Sequence, residues 1–141
     1  MFGSRPSHSE IKHMGKHGVD TIVTLLSPAE NAKSLAPTVE HAKMEWLWLP
    51  ISFRHEDMHP FIMADKAVRL VQVIKQRLSN EKTVFIHCAA GIDRTGMIGA
   101  AVMISCGMEP LETFKEWYPP GRSRLTSDRL DWAIKIAGEV Q

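Results

Sequence analysis

The chain of 141 residues is 44% hydrophobic and 23% charged, which is typical of a globular protein, and we expect a single domain over residues 1–141. Its formal net charge of +1 excludes a general electrostatic attraction to nucleic acid or to a membrane surface, so any basic site must be local. The start of the chain lacks the layout of a secretory signal, and the longest apolar run, Met97 to Met108, is too short to span a bilayer. The two cysteines, Cys88 and Cys106, make no disulfide framework. We expect a cytoplasmic protein, in which thiols stay reduced, and a monomer.

The first half of the chain predicts a helix and two strands. Residues 9–18, SEIKHMGKHG, favour a short helix that Ser9 caps and Gly18 closes. The β-branched run VDTIVTLL predicts a buried strand. The next segment, SPAENAKSLAPTVEHAKM, favours one or two helical turns that are broken at Pro37, and the short strand EWLWLP follows it.

The second half predicts one more strand among several helices. The polar segment ISFRHEDMHP has no strong periodic pattern and is interpreted as a loop. After it, apolar residues at three- and four-residue steps predict a long amphipathic helix from Pro60, with a buried face of Phe61, Ala64, Val68, Val71, Ile74 and Leu78. TVFIH predicts a second buried strand, and further helices are expected at Thr95–Met108, Glu109–Trp117 and Thr126–Glu139. Strands that alternate with helices indicate an α/β fold, with a central, mainly parallel sheet of about four to five strands flanked by helices.

The stretch VFIHCAAGIDRTGMIGAA, residues 84–101, carries the strongest functional signal. Its strand ends at His87 and Cys88, and open α/β sheets bind ligands at the carboxyl ends of central strands. If residues 89–94 curl into a loop, their backbone N–H groups can form a nest for an anion, and the following helix adds the positive end of its dipole. Arg94 supplies a planar guanidinium that suits two phosphate oxygens. A thiol in this field is expected to be ionised, so the stretch predicts a thiolate nucleophile below a site for a tetrahedral phosphate.

The sequence HCAAGIDRTG resembles the signature of the cysteine-dependent protein tyrosine phosphatases, in which His-Cys is followed by five residues, Arg, Ser or Thr, and Gly. The short chain is similar to the small dual-specificity phosphatases of that superfamily. The resemblance implies that Cys88 attacks phosphorus, that the Thr95 hydroxyl helps the sulfur to leave in a second step, and that His87 braces the loop. It also implies a phosphate-binding set that consists of Ala89, Ala90, Gly91, Ile92, Asp93 and Arg94. Neither a metal nor a cofactor is implied.

The resemblance further implies a general acid on a loop some thirty residues before the cysteine, ahead of a long helix. In FRHEDMHP, Asp57 lies 31 residues before Cys88 and is the candidate, with the neighbouring Glu56 as the alternative. Asp65 lies too far into the predicted helix. The expected substrate is a phosphorylated protein, with phosphotyrosine first and phosphoserine or phosphothreonine beside it, or a small phosphomonoester.

Two departures from the family pattern leave the substrate open. Asp93 precedes Arg94 where most such protein phosphatases have glycine. An aspartate there resembles phosphoinositide-directed relatives, although Ile92 replaces the basic residue that those enzymes often place before it. Asp128 and Arg129 lie where the dual-specificity pattern commonly has a glutamine that positions water. A phosphatase of phosphoinositides or other non-protein phosphomonoesters is therefore the alternative hypothesis, followed by a catalytically weak phosphate-binding module and, last, a sulfurtransferase.

Several other residues have two open interpretations. Arg122 and Arg124 resemble an arginine-bearing loop near the site of related phosphatases, but a surface role is equally open. Ser4 and Arg5 are weaker candidates for the rim of the same site. Cys106, within an apolar helix, is expected in the core. The same is expected of three tryptophans, Trp46, Trp48 and Trp132.

Overall fold

A four-stranded parallel sheet forms the centre of the computed structural model, which describes residues 1–110, 112 and 126–141. Its strands follow the order β1-β4-β2-β3, and their bounds are Phe2–Gly3 (β1), Thr21–Thr24 (β2), Glu45–Trp48 (β3) and Val84–His87 (β4). The register pairs His87 with Thr24 and with Gly3, and Thr24 with Trp48. The carboxyl ends of all four strands therefore lie along one edge of the sheet. The predicted α/β fold with a mainly parallel sheet is confirmed.

Five helices flank the sheet within the described residues. Their bounds are His8–Lys16 (α1), Ala36–His41 (α2), Ala64–Ser79 (α3), Asp93–Ser105 (α4) and Ser127–Glu139 (α5). Short 3-10 turns occupy Pro28–Glu30, Ala32–Leu35 and Glu56–Met58. None of the helices in this part of the chain has the length and apolar character that a membrane span requires.

Two apolar clusters hold these layers together. Helices α3, α4 and α5 bury the larger cluster against one face of the sheet, with Val71, Ile98 and Ile136 among its members. Helices α1 and α2 bury the smaller cluster against the other face, with Ile11 and Val39 among its members. Successive residues of a strand point to opposite faces, so β4 contributes Ile86 to the first cluster and Phe85 to the second. Because each fully buried side chain of this kind contributes about 1.5–3 kcal/mol, β4 is fixed from both sides.

The starts of the first two helices differ from the prediction. Ser7, not Ser9, caps α1: its hydroxyl accepts the N–H of Glu10 at 3.1 Å, and the Glu10 carboxylate accepts the N–H of Ser7 at 3.1 Å. Two residues that satisfy each other in this way fix the helix start more firmly than one cap. Pro37 does not break a helix but lies in the first turn of α2, where its missing N–H has no helical acceptor to lose.

The third helix and the second cysteine also differ from the prediction. Residues 59–63 form a separate turn, closed by hydrogen bonds to the His59 carbonyl, so α3 begins after Pro60 rather than at it. As a result Phe61, expected on the buried face, is 63% exposed. Cys106, expected in the core, is exposed at the end of α4. The helix predicted for Glu109–Trp117 lies largely outside the described residues.

The tryptophans follow the prediction in part. Trp132 is buried in the larger cluster, as expected. Trp46 and Trp48 are only half-buried, and their rings stack 5.6 Å apart beside the smaller cluster. Arg122 and Arg124 lie outside the described residues.

Candidate active site

A tight loop connects the end of β4 to α4. Cys88 follows β4 directly and is only 2% exposed. In the loop, Gly91 has a φ of +72°, and a Cβ at this position would lie 2.4 Å from the carbonyl carbon of Gly3. Both the backbone conformation and the contact with β1 therefore require glycine. Helix α4 begins at Asp93 and not, as predicted, at Thr95, which shortens the loop and brings the free N–H groups of the first helical turn closer to Cys88.

The predicted phosphate-binding residues lie side by side in this loop and first turn. Ala89 and Ala90 are exposed, and residues 91–94 are half-buried. Thr95 is fully buried, and its Oγ1 has no hydrogen-bond partner among the described residues. A buried hydroxyl left without a partner costs about 1–3 kcal/mol, and a catalytic role is one explanation of such an atom.

The Arg94 side chain is firmly held and only 13% exposed. Its Nη1 donates to Glu30 Oε1 at 2.5 Å, and its Nη2 donates to Glu30 Oε2 at 2.9 Å. Nη1 also donates to the carbonyls of Ile51 at 3.0 Å and Leu25 at 3.4 Å. The bonds to Glu30 are the main cause that raises the pKa of Arg94 above its ordinary value, against the effect of burial, and the nearby Cys88 makes a smaller contribution to the rise. Cys88 and this fixed positive charge are at the two ends of the same tight loop.

Glu30, the counter-ion of Arg94, is a site residue that the sequence reasoning missed. It ends the 3-10 turn Pro28–Glu30, and its Oε1 accepts the N–H of Ser27 at 3.0 Å and the Ser27 hydroxyl at 3.1 Å. Arg94 is the main cause that lowers the pKa of Glu30 to about 2, and Ser27 lowers it further, against the opposing effect of burial. The sequence SPAE contains a signal for this turn, because Ser and Glu three residues apart form a capping box. That pattern does not reveal that the same carboxylate also reaches Arg94.

His87 is braced by a chain of hydrogen bonds that crosses the sheet. Its Nδ1 lies 3.1 Å from the Cys88 carbonyl and its Nε2 lies 2.8 Å from Thr24 Oγ1, while Trp46 Nε1 donates to the same Oγ1 at 2.8 Å. A carbonyl only accepts and an indole only donates. The hydrogen of neutral His87 is therefore on Nδ1, and the Thr24 hydroxyl gives its hydrogen to Nε2. Burial is the main cause that lowers the pKa of His87 to about 4, and the charges of Arg5 and Arg94 lower it further, against the bond to the Cys88 carbonyl.

Asp93, the first departure from the family pattern, is paired with Arg129, one of the two residues of the second departure. Arg129 Nη1 donates to Asp93 Oδ1 at 2.9 Å. The guanidinium of Arg129 also lies 4.6 Å from the centroid of the Phe53 ring, a distance at which cation–π attraction operates. The aspartate before Arg94 thus has a structural partner on α5.

Part of the predicted phosphate-binding set lines one cavity, and the predicted acid lines a second cavity that adjoins it. Arg94, Asp93 and residues 52–55 are part of the lining of a cavity of about 450 Å³. Asp57 and Glu56 lie on the 3-10 turn that follows and line a second cavity of about 590 Å³, which shares Phe53 and Arg54 with the first. Both carboxylates are exposed. The structure therefore places them next to the cavity of Arg94 but not in it.

A family model described as "Polymorphic toxin system, DSP-PTPase phosphatase" matches residues 2–108. The chain belongs to this family. The predicted resemblance to the cysteine-dependent tyrosine phosphatases and their small dual-specificity members is thereby confirmed. A sequence search among curated proteins finds no match.

Solved phosphatase structures share the fold of this chain. Tk-PTP in its active form superposes with a TM-score of 0.75 at 24% identity, covering 97% of this chain and 90% of that one. PTPMT1 gives a TM-score of 0.74 at 15% identity, with 98% and 88% covered. Kinase associated phosphatase gives 0.76 at 12% identity, with 96% and 78% covered. Identities this low establish the shared fold alone.

Proposed function

We propose that this protein hydrolyses phosphotyrosine, and phosphoserine and phosphothreonine beside it, through a cysteinyl-phosphate intermediate. The proposal depends above all on one observation: Cys88 and Arg94 lie at the two ends of one tight loop between β4 and α4, and Glu30 holds the Arg94 guanidinium in place. A thiolate is a strong nucleophile and a guanidinium binds phosphate oxygens, so this pair brings the two reactants of phosphoryl transfer together.

Arg94 has donors left for a phosphate. Its hydrogen bonds to Glu30, Ile51 and Leu25 occupy Nη1 and one hydrogen of Nη2, which leaves the Nε–H and the second Nη2–H for phosphate oxygens. The N–H groups of residues 89–92 and of the first turn of α4 supply further donors. Donors that are fixed in advance around the three equatorial oxygens stabilise the charge that spreads over them in the transition state.

In the first step, the Cys88 thiolate attacks phosphorus and forms the S–P bond. The P–O bond to the leaving group breaks, its electron pair goes to the leaving oxygen, and the Asp57 carboxylic acid gives that oxygen a proton. Asp57 suits this role because it lines the cavity that adjoins the one of Arg94, where the leaving group of a bound phosphomonoester can extend. Glu56 lines the same cavity and is the alternative donor.

In the second step, a water molecule gives a proton to the Asp57 carboxylate while its oxygen attacks phosphorus. The S–P bond breaks and its electron pair returns to sulfur, which releases inorganic phosphate and the Cys88 thiolate. The Thr95 hydroxyl, which has no partner among the described residues, donates a hydrogen bond to the departing sulfur. His87 holds the Cys88 carbonyl through Nδ1–H and so keeps the loop in shape in both steps.

The decisive experiment compares the two cysteines. We expect Cys88→Ser to lower the hydrolysis of an aryl phosphate by about 10⁴-fold or more, because a serine hydroxyl is not ionised at neutral pH. Cys106→Ser, at the exposed cysteine, should retain the wild-type rate. The phosphorylated intermediate should be detectable by mass spectrometry after acid quenching of the wild type and absent from Cys88→Ser. Equal rates for wild type and Cys88→Ser would refute the mechanism.

A substrate panel tests the choice of substrate separately. We expect a higher kcat/KM for phosphotyrosine peptides than for phosphoinositides or small phosphomonoesters. Asp93 is the sequence feature that favours the lipid alternative, but its carboxylate is paired with Arg129. A clear preference for phosphoinositides would replace the proposal. Tight tungstate binding without turnover on any substrate would favour a phosphate-binding module instead.

A further inference from the structure

The N-terminal segment lies directly against the phosphate-binding loop. Strand β1 pairs with β4, and the backbone of Gly3 leaves no room for a Cβ at Gly91. Just beyond β1, the N–H of Arg5 donates to the carbonyl of Ala89 at 3.0 Å. The backbone of residues 3–5 therefore supports the loop from one side.

The side chain of Arg5 leads from this segment to the turn that carries Glu30. Its Nη1 donates to the Glu30 carbonyl at 2.5 Å, and its Nη2 donates to the Asn31 carbonyl at 3.3 Å and to Ser34 Oγ at 3.2 Å. Asn31 has a φ of 58°, in the left-handed region that few residues other than glycine and asparagine adopt readily. Arg5 thus binds the two carbonyls at a point where the backbone reverses between two 3-10 turns, and its planar fork matches acceptors that a single ammonium cannot all reach.

Arg5 is consequently connected to both parts of the phosphate site. Its backbone holds the loop that follows Cys88, and its guanidinium holds the backbone of Glu30, whose carboxylate binds Arg94. The charges of Arg5 and Arg94 act on the same group, since both lower the pKa of the buried His87 after the larger effect of burial. Arg5 is half-buried and does not line the cavity of Arg94, so a direct contact with substrate is not needed for this role.

We propose that Arg5 is a positioning residue, which fixes Glu30 relative to the phosphate-binding loop and thereby sets the orientation of the Arg94 guanidinium toward a bound oxyanion. The proposal rests on the proposed function only for its effect on turnover. Its effect on oxyanion binding can be measured without any turnover.

The first test measures tungstate binding to the Cys88→Ser protein by calorimetry. Arg5→Met should weaken binding about tenfold, because a small misorientation of a binding group is enough for such a loss. Arg5→Lys, which keeps the charge but not the fork, should give a smaller loss. The matched control is Arg69→Met, a change of the same kind at an exposed position of α3, which should leave tungstate affinity unchanged. All measurements are made well below the unfolding midpoint of each variant.

The second test asks whether Arg5 acts through Glu30. In a Glu30→Gln background, the tenfold effect of Arg5→Met should shrink to less than about twofold, because two residues in one chain of contacts are not additive. A merely stabilising Arg5 would lower the unfolding midpoint but leave tungstate affinity and kcat/KM of the folded protein unchanged, and that result would overturn the proposal. So would equal losses in the two backgrounds.

Should Arg5→Met fail to fold, the same cycle with Arg5→Lys decides between these outcomes. A wild type that binds tungstate but hydrolyses no phosphate ester would refute the proposed function and leave this inference standing.

Discussion

The two sides of the candidate site differ in how firmly the protein holds them. On the phosphate side, Arg94 has four recorded hydrogen bonds to three residues, and His87 is fully buried between two partners. On the leaving-group side, Asp57 and Glu56 are exposed on a single 3-10 turn. No hydrogen bond of either carboxylate is recorded within the described part of the chain.

This difference matches what each side would bind under the proposed function. The phosphoryl group is the same in every substrate, so donors fixed in advance around it cost no reorganisation when the reaction occurs. The leaving group would vary among phosphotyrosine, phosphoserine and phosphothreonine, and loop residues on a rigid scaffold are suited to varied partners. We therefore expect substitutions on the phosphate side to affect every substrate alike, and substitutions on the leaving-group side to depend on the substrate.

The largest effect that sharpens this comparison is expected from Asp57→Asn. Without an acid, the leaving oxygen departs as an anion, and the rate should fall about 10²–10³-fold for phosphotyrosine peptides. The loss should be much smaller for an activated aryl phosphate, whose leaving group is already a stable anion. Tungstate affinity should not change, since the phosphate side is untouched. Steady-state kcat for both substrates, with tungstate inhibition in parallel, measures the difference.

Glu56→Gln is the matched control for this substitution. It lies on the same turn and removes the same type of charge, so it should change kcat less than about twofold if Asp57 is the acid. A large loss in Glu56→Gln together with a normal Asp57→Asn would assign the acid to Glu56. If each of the two variants lost activity equally on phosphotyrosine peptides and on the activated aryl phosphate, neither carboxylate would be the group that protonates the leaving oxygen.

The sequence predicts the phosphate side of the site better than it predicts the residues that hold this side in place. Residues 84–101 lie in one continuous strand, loop and helix, and local patterns report on such segments directly. The α/β class was predictable for the same reason, because the apolar runs of the strands alternate with helical periodicity. The predicted helix start at Thr95 was off by two residues, since capping geometry rather than periodicity decides where a helix begins.

The residues that hold the phosphate side in place were missed because their partners are distant in the chain. Glu30 and Arg94 are 64 residues apart, and Thr24 and His87 are 63 residues apart. No spacing rule links such pairs before the sheet order is known, and nothing in GSRPS indicates that Arg5 crosses to the turn of Glu30. Phe61 was misplaced for a different reason: its step to Ala64 fits a helical period, but the turn at residues 59–63 interrupts the helix.

An intermediate effect is expected from Glu30→Gln on the phosphate side. The glutamine amide has one acceptor oxygen and no charge, so it cannot offer a separate oxygen to each Nη atom of Arg94 as the Glu30 carboxylate does. The guanidinium should therefore lose its fixed orientation. We expect kcat/KM to fall about 10- to 100-fold on every substrate, including the activated aryl phosphate. Tungstate inhibition should weaken by a similar factor. This uniform loss contrasts with the substrate-dependent loss of Asp57→Asn.

The chain offers a close control in Glu45→Gln. Glu45 also binds an arginine through both oxygens, with Arg77 Nε and Nη2 each at 2.9 Å, but this pair is remote from the cavities and more exposed. Exposed pairs contribute only about 0–1 kcal/mol, so Glu45→Gln should leave kcat/KM unchanged. A uniform loss in both variants would point to general destabilisation rather than to the orientation of Arg94.

The smallest effect is expected in the pH dependence of stability, and it arises from His87. The pKa of this group is lowered to about 4 in the folded protein from an ordinary value of 6.5, so the unfolded chain binds the proton more readily. The contribution is therefore complete above pH 6.5 and is lost as the pH falls from 6.5 toward 4, by about 1 kcal/mol between pH 7.5 and 5.5. Urea unfolding at these two pH values measures it.

His87→Asn does not titrate and should remove this difference, whereas His41→Asn, at an exposed histidine, should keep it. Equal wild-type stability at both pH values would mean that His87 is not held neutral. A protonated Nε2 would then donate to the Thr24 hydroxyl, while Nδ1–H would still donate to the Cys88 carbonyl.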